Sequence, residues 1–120
     1  MPIVDACIVT PANEDGSPGT AKLLANAIAD ALGVASGEVW VRVNYLPQTL
    51  YAENSSERAP CPVFLKVLHA DVKPIEHVEQ EAKALAQVVG ACLERSPELV
   101  HIEFAPAGRG RIAFGGRLLR

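Results

Sequence analysis

The sequence predicts an α/β (α+β) fold in which a duplicated βαβ unit builds a four-stranded mixed sheet with two helices on one face. Three observations carry that reading. Pro2 and Pro62, Ile28 and Val88, and Ser36 and Ser96 are each 60 residues apart in a chain of 120, so the two halves share one layout. In each half a strand pattern, a helix pattern and a second strand pattern follow in order, and such a crossover makes its two strands parallel and right-handed. Lastly, Trp40, Arg42, Asn44, His101 and Glu103 fall on the sheet face that one helical layer leaves bare, so a second subunit is expected to cover it. Residues 2–60 and 62–120 are therefore pseudo-repeats of one domain spanning 1–120.

Each element has its own signal. Residues 2–10, PIVDACIVT, alternate partly and stop before Pro11, as a strand does. Residues 12–20 read as a turn and helix start, with Ser17 as the cap and Pro18 as the first helical residue. Leu23, Leu24, Ala27, Ile28, Ala31 and Leu32 recur at helical spacing, and Gly33 ends the helix. Residues 39–45 alternate strictly between Val or Tyr and Trp40, Arg42 and Asn44, the pattern of a strand with two unlike faces. A polar excursion over 46–60 follows, and then the order begins again. Residues 62–69 are a strand, and Pro74 opens a helix whose inner stripe is Val78, Ala82, Leu85, Val89, Cys92 and Leu93. Residues 99–104 alternate once more, and GRGRIAFGG reads as a short hairpin or edge strand.

Composition narrows the function classes. Apolar residues make up 49% and charged residues 21% of the chain, a balance that folds. A net charge of −3 argues against a nucleic-acid partner, whose footprint is basic. No apolar run approaches the roughly 20 residues that span a bilayer, so no membrane partner is expected. The first residues lack the basic n-region of a signal peptide. Three cysteines, an odd number without a C-x-x-C, read as free thiols in a reducing compartment, the cytoplasm. His69, His77 and His101 are scattered and suggest no metal. GRGRIAFG breaks the G-x-G-x-x-G spacing and follows the wrong element, so no dinucleotide site is expected.

The Met1-Pro2 start, the VWVRV strand running to Pro47, LVHIEF near the C-terminus and the closing IAFGG, on a half-length repeat, resemble the tautomerase superfamily over the whole chain. The closing residues are similar to the aromatic-plus-Gly-Gly hairpin of 4-oxalocrotonate tautomerase (4-OT). Length and layout are similar to the 5-carboxymethyl-2-hydroxymuconate isomerase and macrophage migration inhibitory factor branches. The resemblance implies a homotrimer and a cofactor-free isomerase in which the N-terminal proline is the general base. Its substrate would be a small 2-keto or 2-hydroxy-dienoic acid. A non-enzymatic trimer, a binding or signalling module on the same fold, is the alternative.

Pro2 is the candidate catalytic residue. Removal of Met1 would leave a secondary amine; an α-amino group titrates near about 7.7–8.0, and burial lowers that further, so a neutral amine is available at neutral pH. The plainer reading is a proline that starts a strand. Lys73 sits just before Pro74 at a helix start, where a cation opposes the macrodipole, so it is a candidate carboxylate holder. It also falls near the arginine that the resembled family carries after the corresponding strand. The plainer reading is a solvated lysine, with Asp71 capping the helix. His101 and Glu103 are candidate donors or orienting groups for a neighbouring subunit's pocket, and Arg42 and Trp40 share their face. Alternatively, Arg42 and Glu103 pair across a subunit interface, with Trp40 packed beside them. Phe114 is a candidate apolar wall, or plain core. The paired arginines typical of the haloacrylate dehalogenase branch are absent around 70–73, which disfavours hydrolytic dehalogenation.

Overall fold

The structure is a computed structural model that describes residues 1–11, 16–57 and 60–120. Of the expected turn over 12–20, residues 12–15 lie outside the described residues, as do 58–59 of the polar excursion. Two strand–helix–strand units follow one another: β1 (Ile3–Thr10), α1 (Thr20–Leu32) and β2 (Trp40–Pro47), then β3 (Val63–Leu68), α2 (Ile75–Leu93) and β4 (Val100–Phe104). A two-residue hairpin, β5 (Ala113–Phe114) and β6 (Arg117–Leu118), closes the chain.

The sheet order is β2-β1-β3-β4. Each unit's own strands are parallel, and β1 meets β3 antiparallel, with Ile3 opposite Leu68 and Val4 opposite Val67. This is the mixed sheet expected of a duplicated βαβ. The period-2 alternation sends Val4, Ala6, Ile8, Val63, Leu65 and Val67 to the helical face, where all are buried. Leu24 and Ile28 of α1 and Leu85 and Val89 of α2 complete that core at helical spacing. A fully buried side chain of this size stabilises the fold by about 1.5–3 kcal/mol. No helix among the described residues is long and apolar enough to cross a membrane.

The opposite face is bare. Trp40 is 53% and Phe64 38% exposed there, and Arg42, Asn44, Lys66, His101 and Glu103 surround them.

Helix starts depart from expectation. Ser17 does not cap α1: Gly19 holds the N-cap, and the Ser17 carbonyl accepts the Thr20 hydroxyl and the Gly19 and Thr20 amides. That turn absorbs Pro18 ahead of the helix. Asp71 does not cap α2 either. Pro74 is the N-cap, and Asp71 is drawn away by Arg109, whose Nε and Nη2 donate to its two oxygens at 2.6 and 2.9 Å. The arginine holds the Asp71 carboxyl below the usual range, chiefly by hydrogen bonding, against the opposing effect of burial.

Candidate active site

Four elements meet at one end of the sheet: the start of β1, the start of β2, and the ends of β3 and β4. The antiparallel register that sets Ile3 against Leu68 sets Pro2 against His69 at its next step. Pro2 continues the inward alternation of β1 and is fully buried, and its carbonyl accepts the Trp40 amide at 3.1 Å. The segment after β4 folds back across this end, where the Gly108 and Arg109 amides donate to the carbonyls of His69 and Ala70 at 2.8 and 2.9 Å.

Met1 packs into the same sheet end. Its side chain is only 14% exposed, and its ammonium donates to Glu38 Oε2 at 3.1 Å. Gly108 makes room for it: a β-carbon there would stand 3.3 Å from the Met1 Cε, 3.2 Å from Ile112 Cγ2 and 3.4 Å from the His69 carbonyl. A cavity of about 290 Å³ opens alongside, lined by Met1, Ile3, Gly37, Glu38, Trp40 and Phe114. Trp40 and Phe114 form its aromatic wall, edge to face with ring centres 5.3 Å apart. Phe114 is aimed there by its hairpin, whose turn residues Gly115 and Gly116 have φ of 59° and 86°, the left-handed pair that a tight two-residue turn requires.

Beyond His69 lies a charged cluster. The His69 ring nitrogen Nε2 hydrogen-bonds Glu81 Oε2, and Lys73 Nζ donates to Glu81 Oε1 at 3.3 Å. The Glu81 side chain is only 8% exposed, whereas Lys73 is 41% exposed. Burial pushes the Glu81 carboxyl up, but His69 and Lys73 together outweigh it and hold the group below the usual glutamate range. The His69 ring stacks on Phe104 at 6.3 Å. Lys73 is thus not the free cation that its place before a helix suggests; it already has a carboxylate partner.

The candidate residues divide into three sets. Trp40 and Phe114 line the cavity beside Met1, next to Pro2, whereas Lys73 lines a separate cavity beyond His69. Arg42, His101 and Glu103 stand on the bare face. There Arg42 Nε and Nη2 donate to Asp5 at 2.5 and 2.9 Å, an arrangement that raises the guanidinium pKa through the hydrogen bond and the charge of Asp5. His101 leans on Phe64 at 5.4 Å, and Glu103 lies 3.9 Å from Lys66. Arg42 finds its partner within its own chain. His101 and Glu103 pair, through β3, with Cys7 and Asp5 of β1 rather than with Pro2, and help line a groove of about 350 Å³.

Sequence reasoning missed Glu38, His69, Glu81 and Gly108. For Glu81 a signal was present: it falls three residues after Val78 and four before Leu85, on the inner stripe of α2, and a buried charge there demands partners. The others are brought to the site by tertiary contacts that no local pattern announces.

No protein-family model matches the chain, and no curated protein matches it in sequence. Solved structures do match in fold. A fused 4-OT described as a wild-type symmetric trimer has a TM-score of 0.77 at 16% identity, over 98% of this chain and 94% of its own. Pt0534 inactivated by 2-oxo-3-pentynoate has a TM-score of 0.75 at 15% identity, over 98% of this chain and 94% of its own. The macrophage migration inhibitory factor of Toxoplasma gondii has a TM-score of 0.69 at 20% identity, over 95% of this chain and 98% of its own. The fold of the chain, a duplicated βαβ unit, is thus similar to that of the fused 4-OT structures.

Proposed function

We propose that the chain is a cofactor-independent tautomerase or isomerase of a small 2-keto or 2-hydroxy-dienoic acid, with Pro2 as general base. The observation that carries this is the seat of Met1: a side chain 14% exposed, packed beside Gly108 at the sheet end and joined to a fully buried Pro2. Cleavage of the Met1–Pro2 bond would vacate that seat and leave the Pro2 nitrogen as a secondary amine on the floor of the widened cavity. Burial lowers the pKa of such an amine, and Glu38, largely in solvent, opposes that only weakly. The neutral amine takes a proton next to a carbonyl and returns it to the other end of the enol(ate).

Lys73 holds the substrate carboxylate in this reading, and Trp40 and Phe114 flank the carbon chain. A small carboxylate inactivates one of the proteins of similar fold, which supports this substrate class. A homotrimer covers the bare sheet face and brings Arg42, His101 and Glu103 toward a neighbour's pocket. The trimeric state named for the fused 4-OT supports that assembly. The cytoplasm, where thiols stay reduced, suits Cys7, Cys61 and Cys92, none of which is paired.

The test is ketonisation of an arylpyruvate enol followed by absorbance. The protein should accelerate it well above buffer. No acceleration, on this enol or on 2-hydroxymuconate, would favour the binding or signalling module instead.

A further inference from the structure

The cluster beyond His69 has an electrostatic peculiarity. With a neutral imidazole, Lys73 and Glu81 cancel, so a carboxylate arriving at Lys73 meets a nearly buried carboxylate already bonded to the same ammonium. Two carboxylates sharing one cation in a site of low polarity cannot both stay ionised without cost, unless a proton joins them. The His69–Glu81 pair is the place for that proton, since the His69 ring nitrogen is bonded to Glu81 Oε2 while Lys73 holds the other oxygen.

We propose that the His69–Glu81 pair takes up one proton when a small carboxylate binds at Lys73, so that ligand binding at this site is proton-coupled. This rests on the reading of Lys73 as the carboxylate holder and adds His69 and Glu81 as its positioning residues. A cavity of about 160 Å³, bounded by His69, Lys73, Glu81, Val78, Phe104 and Pro106, gives room for a ligand of few heavy atoms, with an apolar wall beside the charges. Of the other charged groups nearby, Asp71, Arg109 and the terminal ammonium already have partners. Asp71 on the strand-to-helix segment and Arg109 on the returning segment neutralise each other. The terminal ammonium is held by Glu38. β4 contributes Phe104, which carries no charge, and from α2 His77 shares a separate groove with Lys73, Gln80 and Glu81, toward α1. By reciprocity, protonation strengthens carboxylate binding by the same factor by which the carboxylate favours protonation.

The experiment is titration calorimetry with phenylglyoxylate, an aryl 2-keto acid with no enolisable hydrogen, in buffers of different ionisation enthalpy at several values between pH 6 and 8. Wild type should take up close to one proton per acid bound at the upper end, with Kd rising toward about tenfold per pH unit. His69→Gln, which keeps a donor to Glu81 but cannot carry the charge, should bind without uptake. Glu81→Gln leaves Lys73 uncompensated and should bind more tightly than wild type at pH 8, again without uptake. If His69→Gln fails to fold, Glu81→Gln decides alone. Binding to wild type without proton uptake would overturn the proposal and leave the carboxylate site standing. Uptake that persists in the folded variants would place the proton elsewhere, on the Pro2 amine for instance, and would equally overturn it. No binding at any pH would remove the carboxylate site at Lys73 itself.

Discussion

Pro2→Ala should lower the ketonisation rate of an arylpyruvate enol by at least about 10²-fold, the usual loss when a positioned base is removed. The effect is large because, among the described residues, the other titratable groups at that sheet end are already engaged. Glu38 is an exposed carboxylate that faces the Met1 nitrogen, and His69 is engaged with Glu81. The variant keeps a terminal amine after Met1 is removed, but a primary one, differently placed and less constrained, so a residual rate remains. Its circular dichroism and its oligomer mass by light scattering should match wild type, since the Pro2 amide nitrogen has no hydrogen to contribute to the sheet. Unchanged activity in Pro2→Ala would move the chemistry to another group, and His101 would be the next to replace.

Lys73→Ala should reduce kcat/KM on a carboxylate substrate about 10- to 150-fold, the equivalent of a charge-assisted hydrogen bond of roughly 1.5–3 kcal/mol. The loss should nearly vanish on an ester or amide analogue, which presents no negative charge. Position at a helix start alone would make the substitution harmless to the fold, since a cation there opposes the macrodipole. The ion pair with Glu81 changes that expectation. Losing a half-exposed lysine from a nearly buried carboxylate should cost stability at the low end, under about 1 kcal/mol, because solvent screens much of the pair. Equal losses on charged and neutral substrates would mean that Lys73 acts by holding Glu81 in place.

The fold was legible because duplication repeats every signal. Alternation in β1 and β3 and helical spacing in α1 and α2 place Val4, Ile28, Val67 and Leu85 inward by geometry alone. Helix starts were less legible: at Ser17 the backbone carbonyl, not the side chain, organises the turn before α1, and the Asp71 carboxylate is claimed by Arg109. At the site, Pro2 and Phe114 were singled out through the family resemblance and Trp40 through the alternation of its strand; Trp40 and Phe114 meet edge to face. His101 and Glu103 lie on the bare face beside Phe64 and Lys66, neighbours that come from strand pairing rather than from local sequence. The His69–Glu81 contact joins residues 12 apart through a strand end and the second turn of a helix, so only the misplaced charge on the α2 stripe hinted at it.

The central claim is that Pro2 carries a free, neutral amine at neutral pH. Nitrogen NMR of protein labelled with ¹⁵N-proline tests this directly, because a terminal secondary amine resonates far from the tertiary amides of the other prolines. The account predicts one amine signal that titrates below the ordinary α-amino range of about 7.7–8.0. A Pro2 signal in the amide region, or an amine that stays protonated above that range, would contradict it.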